Sequence, residues 1–404
     1  MKPQHIGILV AAYVVTTLLS FGGFRLAMGS AGGSSLVSNL TGGGLVENLI
    51  SPSIPKSSGG VGADDSLPKT EECPINGEKF NTKVKDAWMK RRPLFVMIEN
   101  HKEARPQSGL GSADIVYEAV VEGGITRFMA GYYCDAQSKD AIVAPVRSAR
   151  QMFIDYASEY NFPLYAHVGG ANGTDTDPRV RALEHLADYG WIGTNDLNQF
   201  SIGYPVFVRN YDRLGAGREL ATEHTMESST QRLWEYSAAK RGLTNLDKKG
   251  TDWMTAFTKW SFADEATADK RGAVKTVSYE FWAGFQDFAV KWDYDSMTNT
   301  YFRSMAGEKH VDINDQKQLL AKNVIVLFLR EEGPVDIHKH MYYKTNGTGK
   351  ALVFQNGQQI EAVWSKKDRL SRLLLTDKKG QPIKIVRGKI WVSVVPEAAT
   401  VTAL

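Results

Sequence analysis

Cysteine is scarce in this sequence, which limits the metal sites and crosslinks that the chain can form. Only two cysteines, Cys73 and Cys134, occur among 404 residues, so a four-thiol metal site is excluded by count. If the chain is exported, the two thiols could form one disulfide closing a loop of about sixty residues, which would contribute roughly 4 kcal/mol in the chain-entropy model. Two unpaired thiols are the alternative, because pairing cannot be read from the sequence.

A large excess of charge of one sign is also lacking. The formal net charge is only +3, and no block of like charges forms a basic arm, so nucleic acid is not expected as a partner. Hydrophobic residues make up 43% and charged residues 23% of the chain, which is typical of a globular protein. The nine Trp, sixteen Tyr and seventeen Phe residues are enough for two cores, or for a face on which sugars stack.

An uncharged, mostly apolar run of nineteen residues extends from Ile6 to Phe24. At about 1.5 Å per residue, a helix of this length nearly crosses a hydrocarbon core of about 30 Å. Residues 1–28 are therefore predicted to form a single transmembrane anchor. A cleaved signal peptide is the alternative, although its apolar region usually has about 7–15 residues. Lys2 precedes the run and Arg25 follows it, which favours a cell-membrane protein with its bulk outside the cytoplasm.

Residues 29–70 are rich in Gly, Ser and Pro and contain few aromatic residues. Such a stretch cannot bury enough apolar surface to fold, so it is predicted to be a flexible linker. As a random coil of about 5–6 Å times the square root of its length, it would hold the rest of the chain roughly 35 Å from the bilayer. The body of the protein would then face the cell wall or the periplasm.

Two modules with different patterns follow the linker. Residues 71–270 alternate between strand-like and helix-like segments, including the apolar strand Leu94–Ile98, which indicates an α/β (or α+β) fold. In residues 271–404, short strand-like runs such as Thr300–Met305 recur between turns. This pattern indicates a mainly antiparallel β domain, either a barrel or a sandwich. In the first module, helices are predicted over Phe153–Tyr160, between Asp177-Pro178 and Gly190, and over Glu227–Arg241.

The segment from Glu118 to Arg127 predicts a tight hairpin with an ionic face. Two β-prone runs flank Gly123-Gly124, and two-residue turns of this kind need positive φ. The turn would place Val120 opposite Arg127, so that Arg127 lies between Glu118 and Glu122 on one face. About 13 Å of strand separates the two carboxylates, whereas glycosidases need about 5–9.5 Å. A structural ion cluster and a face that grips a polar ligand both remain open.

Two arginines in Pro145–Arg150 lead into the predicted helix that contains Phe153. Arg147 and Arg150 would occupy its first turn, where the helix dipole disfavours cations by about 0.3–1 kcal/mol each. Arg150 also lies three residues before Phe153 on the apolar stripe, so its side chain is expected to point inward and to need a partner. That partner is either a hairpin glutamate, or a carboxylate or phosphate held by both arginines and the free helix amides.

His167 occupies a position that favours a binding site. It lies at the end of a predicted strand, just before Gly169-Gly170, which is where ligand crevices form in open α/β sheets. His101 and His224 are candidate companions, but no two of these histidines lie at short ligand spacing, so no metal or other cofactor is predicted. A Ser–His arrangement through Ser148 or Ser108 is conceivable, yet no nucleophile-elbow motif supports it.

Several motifs in one order give the chain a family resemblance over about residues 72–397. They are Arg92-Pro-Leu-Phe-Val-Met-Ile-Glu-Asn-His101, Ala104-Arg-Pro-Gln-Ser-Gly109, Ala113-Asp-Ile-Val-Tyr-Glu118, Glu122-Gly-Gly-Ile-Thr-Arg127, Pro145-Val-Arg-Ser-Ala-Arg150, His167-Val-Gly-Gly170, Arg209 to Thr225, Gly347-Thr-Gly349, Gly357 to Trp364 and Gly388-Lys-Ile-Trp391. In these motifs the chain resembles the YerB-like lipoprotein family. The resemblance implies a bacterial envelope protein of two modules, and it brings no established catalytic residues. One departure is that no cysteine stands near the end of the amino-terminal run, where the family name implies a lipidated one.

These observations predict a membrane-anchored, extracytoplasmic envelope protein that binds an anionic cell-wall ligand, such as a muropeptide or wall polymer, or a wall-synthesis partner. No complete catalytic set is evident, so turnover of the ligand is not expected. The predicted ligand-binding residues are Asn100, His101, Arg105, Glu118, Glu122, Arg127, Arg147, Ser148, Arg150, His167 and His224. The alternatives are a cell-wall hydrolase or transferase with His167 or His224 as base, and a protein-docking role for the β module.

Overall fold

The computed structural model describes residues 60–62, 64 and 66–404. The predicted anchor, residues 1–28, and most of the predicted linker, residues 29–70, lie outside the described residues. In the described part of the chain, no helix has the length and the apolar character needed to span a bilayer.

Apolar runs rich in β-branched and aromatic residues form the long strands, because these side chains pack well on a pleated, buried surface. The strands of the first module are β1 (Glu71–Glu72), β2 (Lys79–Phe80), β3 (Leu94–Glu99), β4 (Ile115–Glu122), β5 (Ile125–Tyr132), β6 (Ile142–Val143), β7 (Leu164–His167), β8 (Asp196–Asn198), β9 (Val208–Arg209), β10 (Met226–Ser229) and β11 (Phe262–Ala263). The predicted apolar strand is β3, and all of its residues are buried.

The second module is built from strands that are mostly antiparallel, as the sequence predicts. They are β12 (Thr276–Tyr279), β13 (Val290–Asp295), β14 (Thr300–Met305), β15 (Glu308–Lys309), β16 (Leu320–Ala321), β17 (Asn323–Leu329), β18 (Glu331–Glu332), β19 (Tyr342–Tyr343), β20 (Gly347–Gln355), β21 (Gln358–Lys366), β22 (Leu374–Asp377), β23 (Ile385–Val386), β24 (Ile390–Pro396) and β25 (Val401–Ala403). In β13, every second residue is buried, as expected for a strand with one face on the core.

The α-helices of the described residues are short and lie in the first module. They are α1 (Thr82–Trp88), α2 (Gln151–Ala157), α3 (Ala182–Asp188), α4 (Gln199–Ile202) and α5 (Thr230–Tyr236), which continues as a π-helical turn over Ser237–Arg241. Single 3-10 turns occur at Lys102–Ala104, Leu110–Ser112, Asp135–Gln137, Ser158–Tyr160, Pro178–Val180, Thr222–His224, Trp253–Ala256, Ala268–Lys270 and Gln286–Phe288. The fold is therefore mostly sheet, with few helices.

Two predicted helices differ from the structure at their N-terminal ends. α2 has Arg150 at its N-cap, so Arg147 lies in the preceding loop and not in a first helical turn. The predicted helix from Glu227 begins only after Ser229, whose side chain caps α5. Residues Glu227 to Ser229 instead belong to β10, which pairs with β6 and β9. Pairing with distant strands thus overrides the local helical pattern.

One sheet contains strands of both modules. Its strand order is β22-β21-β20-β17-β24-β4-β5-β3-β7-β8, with five strands from each module. The two halves join where β24 runs parallel to β4, with Ile390 opposite Ile115 and Ser393 opposite Glu118. The described residues belong to one compact unit, and the boundary near residue 270 separates two sequence modules that share this sheet.

A second sheet, built by the second module, packs over this junction. Its strand order is β15-β14-β13-β12-β25, and β16 also pairs with β14. Tyr279 of β12 places its hydroxyl 2.7 Å from Oγ of Ser393 on β24. Trp292 of β13 packs edge-to-face on Trp391 of β24, with ring centroids 5.4 Å apart. Large aromatic side chains thus fill the space between the two sheets.

The predicted hairpin is formed by β4 and β5, but a β-bulge changes which side chains share a face. The two glycines of its turn have positive φ, as the prediction requires. The register shifts between Val120 and Glu122, so Ala119 lies opposite Arg127. Because the bulge inserts one extra residue, Glu122 shares a face with Arg127, whereas Glu118 lies on the other face. The prediction that Arg127 lies between both glutamates is wrong.

Cys73 and Cys134 form a disulfide with a sequence separation of 61 residues. Both cysteines are fully buried. The bridge joins the segment before β2 to the end of β5. Of the two alternatives that the sequence left open, the structure therefore contains the crosslink.

Candidate functional site

Glu122 lies between two guanidinium groups at the end of β4. Its carboxylate accepts a hydrogen bond from Arg127 at 2.7 Å and two from Arg150 at 2.9 Å. Burial would raise the pKa of Glu122, but the charges of Arg127 and Arg150 lower it strongly, so the carboxylate is ionised. The sequence predicted one arginine between two glutamates, whereas the structure places one glutamate between two arginines. Arg150 points inward as predicted, and its partner is the protein's own Glu122.

Glu118 belongs to a separate network on the other face of the sheet. Arg303 of β14 donates to both of its oxygens, at 2.8 and 3.0 Å. Asn100 donates to Thr126, which donates to Glu118, and Arg105 donates to Asn100. Because Glu118 and Asn100 have no exposed surface, they cannot contact a ligand, contrary to the prediction. They hold the two modules together instead.

Glu99 joins Arg147 to His224 at the end of β3. Its Oε1 accepts from Nε of Arg147 at 3.2 Å, and its Oε2 lies 2.9 Å from Nδ1 of His224. Burial would raise the pKa of Glu99, but His224 and Arg147 lower it overall. The same bond raises the pKa of His224. Glu99 was not among the predicted site residues, although a carboxylate at the end of a wholly apolar strand was a usable signal.

A groove of about 450 Å³ lies beyond the carboxyl end of β7, where the sequence predicted a ligand crevice. Its lining residues are Val146, Arg147, Ser148, Val168, Gly169, Gly170, Leu183, Phe200, Arg209, Thr222, Glu223 and Met226. Of the predicted site residues, Arg147 and Ser148 line this groove. Arg209 and Phe200 were not predicted, because they reach the groove from segments far along the chain.

Two arginines in the groove have guanidinium nitrogens without a hydrogen-bond partner in the part of the chain that the structure describes. The Arg147 side chain is 29% exposed, and within the described residues only its Nε has a hydrogen-bond partner, Glu99. Arg209 donates from Nη1 to the carbonyl of Thr222 at 2.6 Å, and its Nη2 has no hydrogen-bond partner in residues 66–404. Phe200 is 73% exposed, so an aromatic face borders these cationic groups.

The cluster next to the groove contains three arginines and two glutamates. Among the described residues, Arg127, Arg147 and Arg150 form ion pairs with two carboxylates, those of Glu99 and Glu122. Glu223 adds a carboxylate to the lining of the groove, beside Arg147 and Arg209. Arg127 also donates to the carbonyl of Ser148 at 3.3 Å, which ties the cluster to the groove wall. The groove therefore offers guanidinium groups that can pair with an anion.

His167 is closed to the groove. Its ring is fully buried, with Nδ1 2.7 Å from the carbonyl of Gly169 and Nε2 2.5 Å from a carboxylate oxygen of Asp196. Both ring nitrogens thus face oxygen acceptors inside the protein. The ring holds the loop after β7 in place. A general base has to lie within hydrogen-bond reach of its substrate, which a fully buried ring does not. His167 therefore does not act as the base of the hydrolase alternative.

His101 and His224 stack on each other beside Glu103. Their ring centroids are 5.2 Å apart and their planes differ by 10°. One possible ligand atom from each of His101, Glu103 and His224 lies within 4.8 Å of the other two. Folding thus brings together histidines that are distant in sequence, which the spacing along the chain could not reveal.

The fold is mostly sheet, two sequence modules share one sheet, and the first module carries a groove lined by two arginines. The N-terminal domain of a "Protein of unknown function (DUF3048)" matches residues 81–242, and the corresponding C-terminal domain matches residues 277–392. The chain belongs to this DUF3048 family.

Two likenesses confirm the resemblance found in the motifs. The "Putative lipoprotein YerB" of Bacillus subtilis (strain 168) is 26% identical over 345 residues, which cover 82% of this chain and 89% of that protein. The crystal structure of the YerB protein from Bacillus subtilis has a TM-score of 0.63 at 25% identity, and the match covers 82% of this chain and 100% of that one. The YerB-like resemblance is therefore confirmed.

Proposed function

We propose that this chain is a membrane-held, extracytoplasmic envelope protein whose first module binds an anionic fragment of the cell wall without converting it. The relative described as a lipoprotein supports an envelope location. The disulfide between Cys73 and Cys134 supports it too, because such bridges persist in oxidising compartments. The groove with its two available arginines, Arg147 and Arg209, is the observation that carries the ligand class.

The two groove arginines suit a carboxylate or a phosphate. Guanidinium groups bind these anions through paired, charge-assisted hydrogen bonds. Muropeptides carry carboxylates, and teichoic chains carry phosphates. Ser148 adds a hydroxyl to the groove, and the exposed ring of Phe200 offers an apolar surface to a sugar.

Arg150 has a supporting role in this proposal. Both oxygens of Glu122 already accept from its guanidinium, so the anion-binding pair suggested by the sequence, Arg147 with Arg150, is replaced by Arg147 with Arg209. The ion cluster of Glu122, Arg127 and Arg150 then holds the groove wall at Ser148 in place.

The test measures binding of a fluorescent soluble muropeptide to the full-length chain in mild detergent. Arg147→Ala and Arg209→Ala should each weaken binding about tenfold or more, because a hydrogen bond to a charged group contributes about 1.5–3 kcal/mol. Arg330→Ala is the matched control, since Arg330 is an exposed arginine paired with Glu332 and does not line the groove.

Wild-type affinity in the Arg147→Ala/Arg209→Ala double variant would refute the anion groove. A second assay separates binding from catalysis. Full-length chain incubated with purified sacculi should release no new fragments. Fragments that appear with the wild type and vanish with His224→Ala would favour the hydrolase alternative instead.

A further inference from the structure

We infer that His101, Glu103 and His224 form a binding site for one Zn²⁺ ion. The site lies beside the groove and does not depend on the wall ligand proposed above. Each residue contributes one nitrogen or oxygen atom, and the three atoms lie within 4.8 Å of one another. Two imidazoles and a carboxylate are a ligand set that zinc uses in proteins.

Small side-chain movements would bring the three ligand atoms to bonding distance. Nε2 of His224 already lies 3.8 Å from a carboxylate oxygen of Glu103. In a tetrahedral site with zinc bonds of about 2.0–2.1 Å, neighbouring ligand atoms lie about 3.3 Å apart. The side chain of Glu103 is 64% exposed, so it can turn toward His224, on which the half-buried ring of His101 is already stacked.

Glu99 orients His224 in the way that carboxylates orient metal-bound histidines. Its Oε2 lies 2.9 Å from Nδ1 of His224, and Nε2 on the other side of the ring faces Glu103. Zinc-bound histidines almost always donate their second ring N–H to such a partner, which fixes the tautomer and the ring plane. The buried, stacked ring of His224 is therefore held in a ligand-ready orientation.

The backbone segments that carry the ligands are clamped together. His101 and Glu103 belong to one tight turn, in which Nδ1 of His101 accepts from the backbone N–H of Glu103 at 3.3 Å. Arg213 donates from Nε to the carbonyl of His224 at 2.8 Å and from Nη1 to the carbonyl of Pro106 at 3.0 Å. One buried arginine thus joins the turn of His224 to the segment that follows Glu103.

The ligand set also limits the kind of metal. Magnesium and calcium prefer oxygen ligands, whereas imidazole suits zinc and its transition-metal neighbours. Three protein ligands leave a fourth position for water or for a group from outside the protein. Glu99 also pairs with Arg147 of the groove. The carboxylate that orients the zinc ligand His224 would therefore also hold a groove arginine.

The test uses the full-length chain in detergent after removal of metals with EDTA. Calorimetric titration with Zn²⁺ should show one equivalent bound, and Mg²⁺ should give no binding heat. Co²⁺ should bind with the strong visible absorption of a four-coordinate ion, and Zn²⁺ should displace it. Absence of stoichiometric Zn²⁺ binding by the wild type would overturn the inference.

Variants locate the ion. His101→Ala and Glu103→Gln alter accessible side chains, and unchanged melting in EDTA would show that both variants fold. Since loss of a supporting partner alone weakens metal sites about 10–100-fold, loss of a ligand should weaken Zn²⁺ binding more than about a hundredfold. His338→Ala is the control, because His338 is an exposed histidine paired with Asp175.

Unchanged Zn²⁺ affinity in both His101→Ala and Glu103→Gln would also overturn the site. Muropeptide binding measured in EDTA keeps this inference apart from the proposed function. Muropeptide affinity that survives in EDTA, together with absent Zn²⁺ binding, would remove only the metal site.

Discussion

Glu118 and Arg303 form an ion pair in which neither side chain is exposed to solvent. Glu118 lies on β4 of the first module and Arg303 on β14 of the second. The guanidinium also lies over Trp391, 4.5 Å from the ring centroid. Burial raises the pKa of Glu118, and the charge of Arg303 acts in the opposite direction. Each charge therefore depends on its partner in the other module.

Glu118→Ala should lower the free energy of unfolding by about 3–5 kcal/mol, because it leaves the Arg303 charge buried without its carboxylate. Urea unfolding followed by tryptophan fluorescence measures the change. Lys291→Ala is the control, since it breaks an ion pair with Asp293 in which both side chains are well exposed. The control should unfold nearly as the wild type does. An equally small effect of Glu118→Ala would show that the buried pair adds no net stability.

The first module should not fold alone, although its sequence motifs are distinct. Without residues 271–404, β4 loses its parallel partner β24 and exposes a sheet edge whose backbone groups are unpaired. Glu159 also loses its two buried cationic partners, Lys366 at 3.1 Å and Arg372 at 2.8 Å. Residues 60–270 should show no cooperative thermal transition by near-UV circular dichroism, whereas residues 60–404 should. A sharp transition in the shorter chain would contradict this expectation.

Patterns among neighbouring residues predicted the strands well. Thr300–Met305 has the same bounds in the sequence prediction and in the structure, and Leu94–Ile98 differs from β3 by one residue. Alternating apolar residues indicate a strand with one buried face, and a continuous apolar run indicates a strand buried on both faces. That information is local, so a single sequence is sufficient to reveal it.

Contacts between distant segments determined what the sequence could not predict. The carbonyl of Val121, at the bulge, accepts from the backbone N–H of Met341 in the second module. The bulge places Glu118 and Arg127 on opposite faces of the sheet. No pattern among neighbouring residues predicts this bulge. The inward direction of Arg150 was predicted from its helical stripe. Its choice of Glu122 as partner depends on the register of the hairpin.

Removal of the disulfide should destabilise the protein. Cys73→Ala with Cys134→Ala opens a loop with a sequence separation of 61 residues. The chain-entropy model gives about 4 kcal/mol for a loop of this size. Urea unfolding of the double variant, with and without reductant, measures the loss. Reductant should shift the wild-type midpoint and leave that of the variant unchanged. Equal midpoints for the oxidised wild type and the variant would contradict a stabilising bridge.

Asp155 should make stability fall as pH rises. Burial raises its pKa from 3.8 to about 6, although hydrogen bonding by Thr345 acts in the opposite direction. The folded state therefore holds the proton more tightly than the unfolded chain between these values. The contribution to stability is complete below pH 3.8 and is lost as pH rises through about 6. The loss is roughly 3 kcal/mol, because each pKa unit corresponds to about 1.4 kcal/mol.

Asp155→Asn removes this titration and keeps an acceptor for the side chain of Gln151, which donates to Oδ1 of Asp155 at 2.9 Å. The variant should be more stable than the wild type at pH near 7.5, and the difference should shrink toward pH near 4.5 as the wild-type carboxyl gains its proton. Urea unfolding across this range measures the difference. Asp188→Asn, at an exposed position of α3, should follow the wild-type curve. A stability difference between Asp155→Asn and the wild type that stays constant with pH would contradict the raised pKa of Asp155, because the difference depends on pH only where the folded and unfolded wild-type chains bind different numbers of protons at this group.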